Sequence, residues 1–222
     1  MQSRYCYVCG KPATSDEHAP PKCLFPESKD TVDGADYRIN LITVPSCDEH
    51  NSAKSHHDEY LMQALAGSYT SNDVALQQSC TKVKRAFEKR PSKAESFVKS
   101  SQPVLLKREH DSDWEEGAQI IVEGERLDLV LENCARAIFF HETGRRIQGT
   151  AQVITAFTQY LNEDLQKSIN ESVEQASNHF KYHPQRGANP TIFWYKYEEG
   201  YASVTLLMKF YEFSEVLVRL FK

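Results

Sequence analysis

Apolar residues recur at spacings of three and four through the middle of the chain. Leu127, Val130, Leu131, Cys134, Ala137 and Ile138 form one such stripe and predict an amphipathic helix over 125–142, ended at Gly144. A second stripe, Leu165, Ile169, Val173 and Ala176, predicts a helix over 165–180. Val74, Cys80, Val83 and Phe87 fall near one face of a helix over 72–89, capped by Ser71 or Asn72, with a break at Pro91 and a short helix beyond. Upstream, a short strand over 39–44 leads to a helix over 48–66 that turns Tyr60, Leu61 and Leu65 inward. The pattern then changes. Residues 191–197, 202–213 and 216–221 are β-branched and aromatic runs divided by Glu199-Gly200 and 213–215, which predicts an antiparallel meander of three strands. Residues 153–160 fit either a strand or a helix, and no internal repeat is present.

The elements add up to an α+β protein. At 222 residues, 40 % hydrophobic and 11 % aromatic, the chain can build one or two compact cores. Its longest apolar runs, around Ile138 and Leu206, are roughly four residues, far short of the ~20 that span a bilayer. The opening MQSRYCYVCG has no apolar signal core, so a cytoplasmic protein without a membrane segment is expected. The net charge of −5 excludes a uniformly basic nucleic-acid coat. All of it lies in residues 101–222, with 13 basic and 18 acidic side chains; residues 1–100 carry 13 of each, so a polyanion would prefer the first half.

The cysteines bring in chemistry. Cys6-Tyr-Val-Cys9, followed by Gly10, has the form of a zinc knuckle, in which two thiolates turn toward one ion and glycine relieves the turn. Cys47-Asp-Glu-His50 repeats the spacing with one imidazole, and the four residues make a Cys3His set suited to structural zinc. No βαβ pattern surrounds the first pair, which argues against a redox motif. Cys80 and Cys134 sit in amphipathic stretches as small core residues, and Cys23 has no partner at ligand spacing.

Between and after the knuckles run Asp16-Glu17-His18-Ala-Pro20-Pro21, then Asn40-Leu41 before Cys47, then Asn51 at the start of a helix. Over about residues 5–62 this order resembles the HNH endonucleases, in an H-N-N form. The resemblance implies a zinc-stabilised, treble-clef-like ββα-metal module over 1–68. It also implies the site: His18 as the general base that activates water, Asn40 orienting its imidazole, and Glu17 with Asn51 as ligands of a catalytic Mg2+ or Mn2+ distinct from the zinc. An imidazole with a pKa near 6.5 suits the base, and hard oxygen donors suit those ions.

Residues 69–103 read as a helical linker, where Lys82, Lys84, Arg85, Lys89, Arg90 and Lys93 form the densest basic cluster. With Lys54, these are the candidates for phosphate-backbone contacts. Residues 104–222 read as an α+β domain of unknown ligand; His110, His141, His179 and His183 are scattered, and no catalytic arrangement stands out. The expectation is a metal-dependent HNH endonuclease acting on DNA, of the kind found in phage defence or mobile elements, as a homodimer or with a defence partner. An RNA nuclease and a non-catalytic zinc-binding adaptor are the alternatives.

Overall fold

The computed structural model describes residues 4–32, 34–107 and 113–222; His110 lies outside them. The N-terminal part is a ββα unit. Strands β1 (Ser15–His18) and β2 (Thr43–Ser46) pair antiparallel, with Glu17 opposite Val44 and His18 opposite Thr43. Helix α1 (Ser55–Ala66) follows. Both expected elements therefore start later than the sequence suggests. Residues 39–42 are not strand, because Asn40 takes a left-handed conformation (φ 55°) in a turn. Residues 48–54 form the second knuckle and a short 3-10 turn instead of helix.

Helices α2 (Asp73–Gln78) and α3 (Lys84–Lys89) form one run through a π-helical stretch at Ser79–Val83. The Asn72 side chain caps the run by accepting from the Ala75 N–H, and its amide donates to the Thr191 carbonyl and the Glu212 carboxylate. Helix α4 (Pro91–Ser100) then opens on Pro91, a residue that costs nothing at a first helical position. A hairpin of β3 (Ser101–Leu106) and β4 (Glu115–Ile120) leads into α5 (Gly124–Thr143), which ends on Gly144 at φ 68°.

The C-terminal sheet is larger than the expected meander. It contains β5 (Ala151–Thr155), β6 (Arg186–Asn189), β7 (Phe193–Glu199), β8 (Ser203–Phe210) and β9 (Ser214–Phe221), all antiparallel in the order β5-β9-β8-β7-β6. Helix α6 (Glu163–His179) is inserted between β5 and β6. The two-residue alternation of β8 and β9 explains how the sheet is covered. Val204, Leu206, Met208, Val216, Val218 and Leu220 join the buried cluster of α5 on one face. Leu207 and Leu217 are buried outside that cluster, as are Ile169 and Val173 of α6, which packs on β9 and β5.

That α5 cluster also takes in Cys6, Tyr7, Leu24, Phe25, Val44, Leu61 and Leu65. The core therefore runs unbroken from residues 1–68 into residues 104–222, with α5 packed on α1, β2, β5 and β9. Tyr211 reinforces the junction: wholly buried, it donates its hydroxyl to the Leu24 carbonyl at 2.6 Å.

Candidate functional site

The four knuckle residues converge. The sulfurs of Cys6, Cys9 and Cys47 and a ring nitrogen of His50 all lie within 4.8 Å of one another. The Cys9 and Cys47 sulfurs are 3.7 Å apart, close to the roughly 3.8 Å edge of a tetrahedron with 2.3 Å Zn–S bonds. His50 Nδ1 is 3.2 Å from the Cys47 sulfur.

Local backbone geometry builds each half of this site. The Gly10 N–H returns to the Cys6 carbonyl at 3.0 Å, and the N–H groups of His50 and Asn51 both return to that of Cys47. Gly10 is favoured by its left-handed φ of 71°, and a Cβ there would make only the end of the flexible Arg146 side chain give way.

The donor chemistry also calls for a cation. Burial opposes ionisation of Cys6, but backbone N–H groups around it outweigh burial and hold its pKa down. Cys47 is pushed up by burial and by the neighbouring sulfurs. Several thiolates this close ionise together only around a positive ion. The residues form a Cys3His cluster close enough to hold a metal ion, and the donor set fits zinc.

The residues expected around a second, catalytic ion are arranged differently. Glu17 and His18 are neighbours on β1, so their side chains leave opposite faces of the strand pair. Glu17 is 5 % exposed, with the Lys54 ammonium 2.6 Å from one carboxylate oxygen and the Ser46 hydroxyl 3.3 Å from the other. Lys54, also 5 % exposed, reaches Asp58 at 2.8 Å as well.

This corrects two expectations. Lys54 is not available to phosphate, and Glu17 is already neutralised by an ammonium where a divalent ion was expected. Burial works against the charge on Lys54, but Glu17 and Asp58 together overcome it and raise its pKa. Glu17 is raised by burial, with Asp58 adding to the rise and Lys54 opposing it, as suits two carboxylates sharing one cation.

Asn51 donates its amide to the Ser15 hydroxyl at 2.8 Å and to the Asp16 carbonyl at 3.2 Å, which ties the second knuckle to β1. Asn40 is exposed in its turn, at φ 55°. These residues do not fit Mg2+ or Mn2+ as the sequence suggested.

His18 itself is half-buried at the end of β1. Burial lowers its pKa, nearby Lys22 and Arg38 lower it further, and Asp16 opposes them. The imidazole's pKa is therefore held below its ordinary value, with Lys22 and Arg38 as neighbouring cations. Arg38 is fixed there by a bond from Nε to the Phe25 carbonyl at 3.1 Å and by Glu27. Neither cation was singled out from sequence. Lys22 lies just beyond the Pro20-Pro21 break, and the loop that delivers Arg38 has no periodicity to announce it.

The basic helix is committed internally in part. Arg85 makes a two-pronged pair with buried Asp30 at 2.7 and 2.6 Å, Lys82 donates to the Cys23 carbonyl at 3.0 Å, and Arg90 reaches Glu59 at 3.2 Å. Lys82 and Arg85 are corrected from phosphate ligands to internal ties, while Lys84, Lys89 and Arg90 remain exposed. His57 accepts from Arg126, which stacks on Tyr60 with its guanidinium carbon 4.1 Å from the ring centre. Among the described residues, no helix is long and apolar enough to cross a membrane.

No family model matches the chain, and no curated protein or solved structure matches it either.

Proposed function

We propose that the protein is an HNH-type endonuclease that hydrolyses phosphodiester bonds, with DNA as substrate. The observation that carries this reading is His18: a half-buried imidazole kept neutral beside Lys22 and Arg38, at the strand end of a ββα unit tied by a Cys3His cluster. Zinc, when bound by Cys6, Cys9, Cys47 and His50, supplies rigidity to that unit. A neutral imidazole accepts a proton from water as the oxygen attacks phosphorus; the bond from phosphorus to the leaving alkoxide breaks, and that oxygen takes up a proton from solvent. The charge gathering on the phosphoryl oxygens faces Lys22 and Arg38. Such work is worth roughly 10²–10⁴ in rate for the base alone. Phage defence or a mobile element is the proposed setting, with the exposed Lys84 and Lys89 as added phosphate contacts.

A second reading has its own support. The Glu17–Lys54–Asp58 cluster occupies the expected ion position, which favours a zinc-stabilised adaptor that binds nucleic acid or protein and cuts nothing. Incubating the purified chain with plasmid DNA and with RNA, alone and with Mg2+ or Mn2+, separates the two. Cleavage of either polymer, lost in His18→Ala, supports the nuclease, and the polymer cut fixes the substrate. Intact polymers in every arm support the adaptor.

A further inference from the structure

The C-terminal part of the chain gathers a second set of donors. His179 closes α6, His183 follows a single 3-10 turn (Phe180–Tyr182), and Glu198 stands near the end of β7. The ligating atoms of all three lie within 4.8 Å of one another. His179 Nε2 and a Glu198 oxygen are 2.6 Å apart, and the two imidazole centres are 5.3 Å apart.

The fold has two reasons to bring them together. The 3-10 turn carries the chain back so that residues four apart stay neighbours, and the His183 ring rests edge-on against buried Phe180, their centres 4.9 Å apart. On β7, alternate residues 194, 196 and 198 share one face. Lys196 on that face donates to the Phe180 and Lys181 carbonyls at 2.8 and 3.3 Å, which locks the strand to the end of α6. Those carbonyls belong to the 3-10 turn that follows the C-terminal, negative end of a 17-residue helix, a place that already attracts one cation.

We infer that His179, His183 and Glu198 bind a first-row transition-metal ion, with zinc the representative of the class. An isolated surface His–Glu pair contributes little to stability and has no use for a third donor. Two imidazoles beside one carboxylate favour Zn2+, Co2+ or Ni2+ over Mg2+ or Ca2+, which prefer all-oxygen shells. Three protein donors leave a fourth tetrahedral position for water or an external ligand, unlike the closed Cys3His cluster at the other end of the chain. The site is independent of the nuclease reading, because it shares no residue with the ββα unit.

Metal content of the full-length protein tests it. After equilibration in micromolar free zinc and gel filtration, the wild type should carry two zinc ions per chain. The double variant His179→Gln/His183→Gln should carry one, with an unchanged circular dichroism spectrum. Glu198→Gln should weaken the second ion by more than the about 10–100-fold that loss of an outer-shell partner costs. One ion per chain in the wild type, or two in the double variant, would overturn the assignment. Should the double variant misfold, Glu198→Gln alone decides, since an unaltered second affinity also overturns it.

Discussion

Because His18 is held below the ordinary imidazole pKa of 6.5, it is deprotonated at neutral pH, the state a general base needs. Activity should therefore stay level through pH 7 and fall only as the pH drops through the lowered value. The acidic limb of kcat/KM should have its midpoint below 6.5; a midpoint above it would mean that another group is the base. Lys54 belongs to the same scale. Removing it strands two carboxylates, one of them deep in the core. Breaking a buried pair from one side costs about 3–5 kcal/mol, much of the ~5–15 kcal/mol a domain has. Lys54→Ala should lower the urea midpoint accordingly, and the double change Glu17→Gln/Lys54→Ala should recover part of the loss. The sequence singled out Glu17, His18 and Lys54 as candidate site residues. It did not show that the strand turns Glu17 inward and His18 outward, because the register of β1 comes from pairing with β2 across a 24-residue gap.

Among the elements, strongly periodic ones were legible and weakly patterned ones were not. Helix α5 was readable because its buried residues repeat every three or four positions and Gly144 stops it. The β3–β4 hairpin escaped because few of its side chains are covered, so its alternation is faint. Strand β6, Arg-Gly-Ala-Asn, has no strand composition and exists because β7 lies beside it. The α2–α3 run was legible as a helix and misleading as a surface. Its cations read as phosphate contacts, yet Asp30, distant in sequence, claims Arg85. The guanidinium holds the Asp30 carboxyl below its ordinary 3.8, so this contribution to stability exists above that pH and is lost as the pH falls through the lowered value. Asp30→Asn should be less stable than wild type at pH 7, and the two denaturation midpoints should converge well below pH 3.8. A gap that persists there would show that packing, not charge, dominates.

At the scale of the whole molecule, the shared core makes the metal cluster a global support. Structural zinc contributes on the order of 10 kcal/mol of folding free energy in small modules, comparable to the total net stability of a domain. Residues 1–68 bury Tyr7, Leu24, Phe25, Leu61 and Leu65 in the same cluster as α5 and the sheet. Cys47→Ser, or stripping by a strong chelator, should therefore lower the melting temperature of the entire chain. Two separate transitions, with the C-terminal one unmoved, would contradict a continuous core. The central claim concerns chemistry and is tested most directly by cleavage. Wild type and His18→Ala, matched for zinc content and circular dichroism, are incubated with end-labelled DNA and RNA at pH 7.5, with and without Mg2+ or Mn2+. The predicted result is cleavage of DNA by the wild type and a fall of roughly 10²–10⁴ in the variant. Equal rates for the two proteins, or no cleavage by the wild type in any arm, would contradict it.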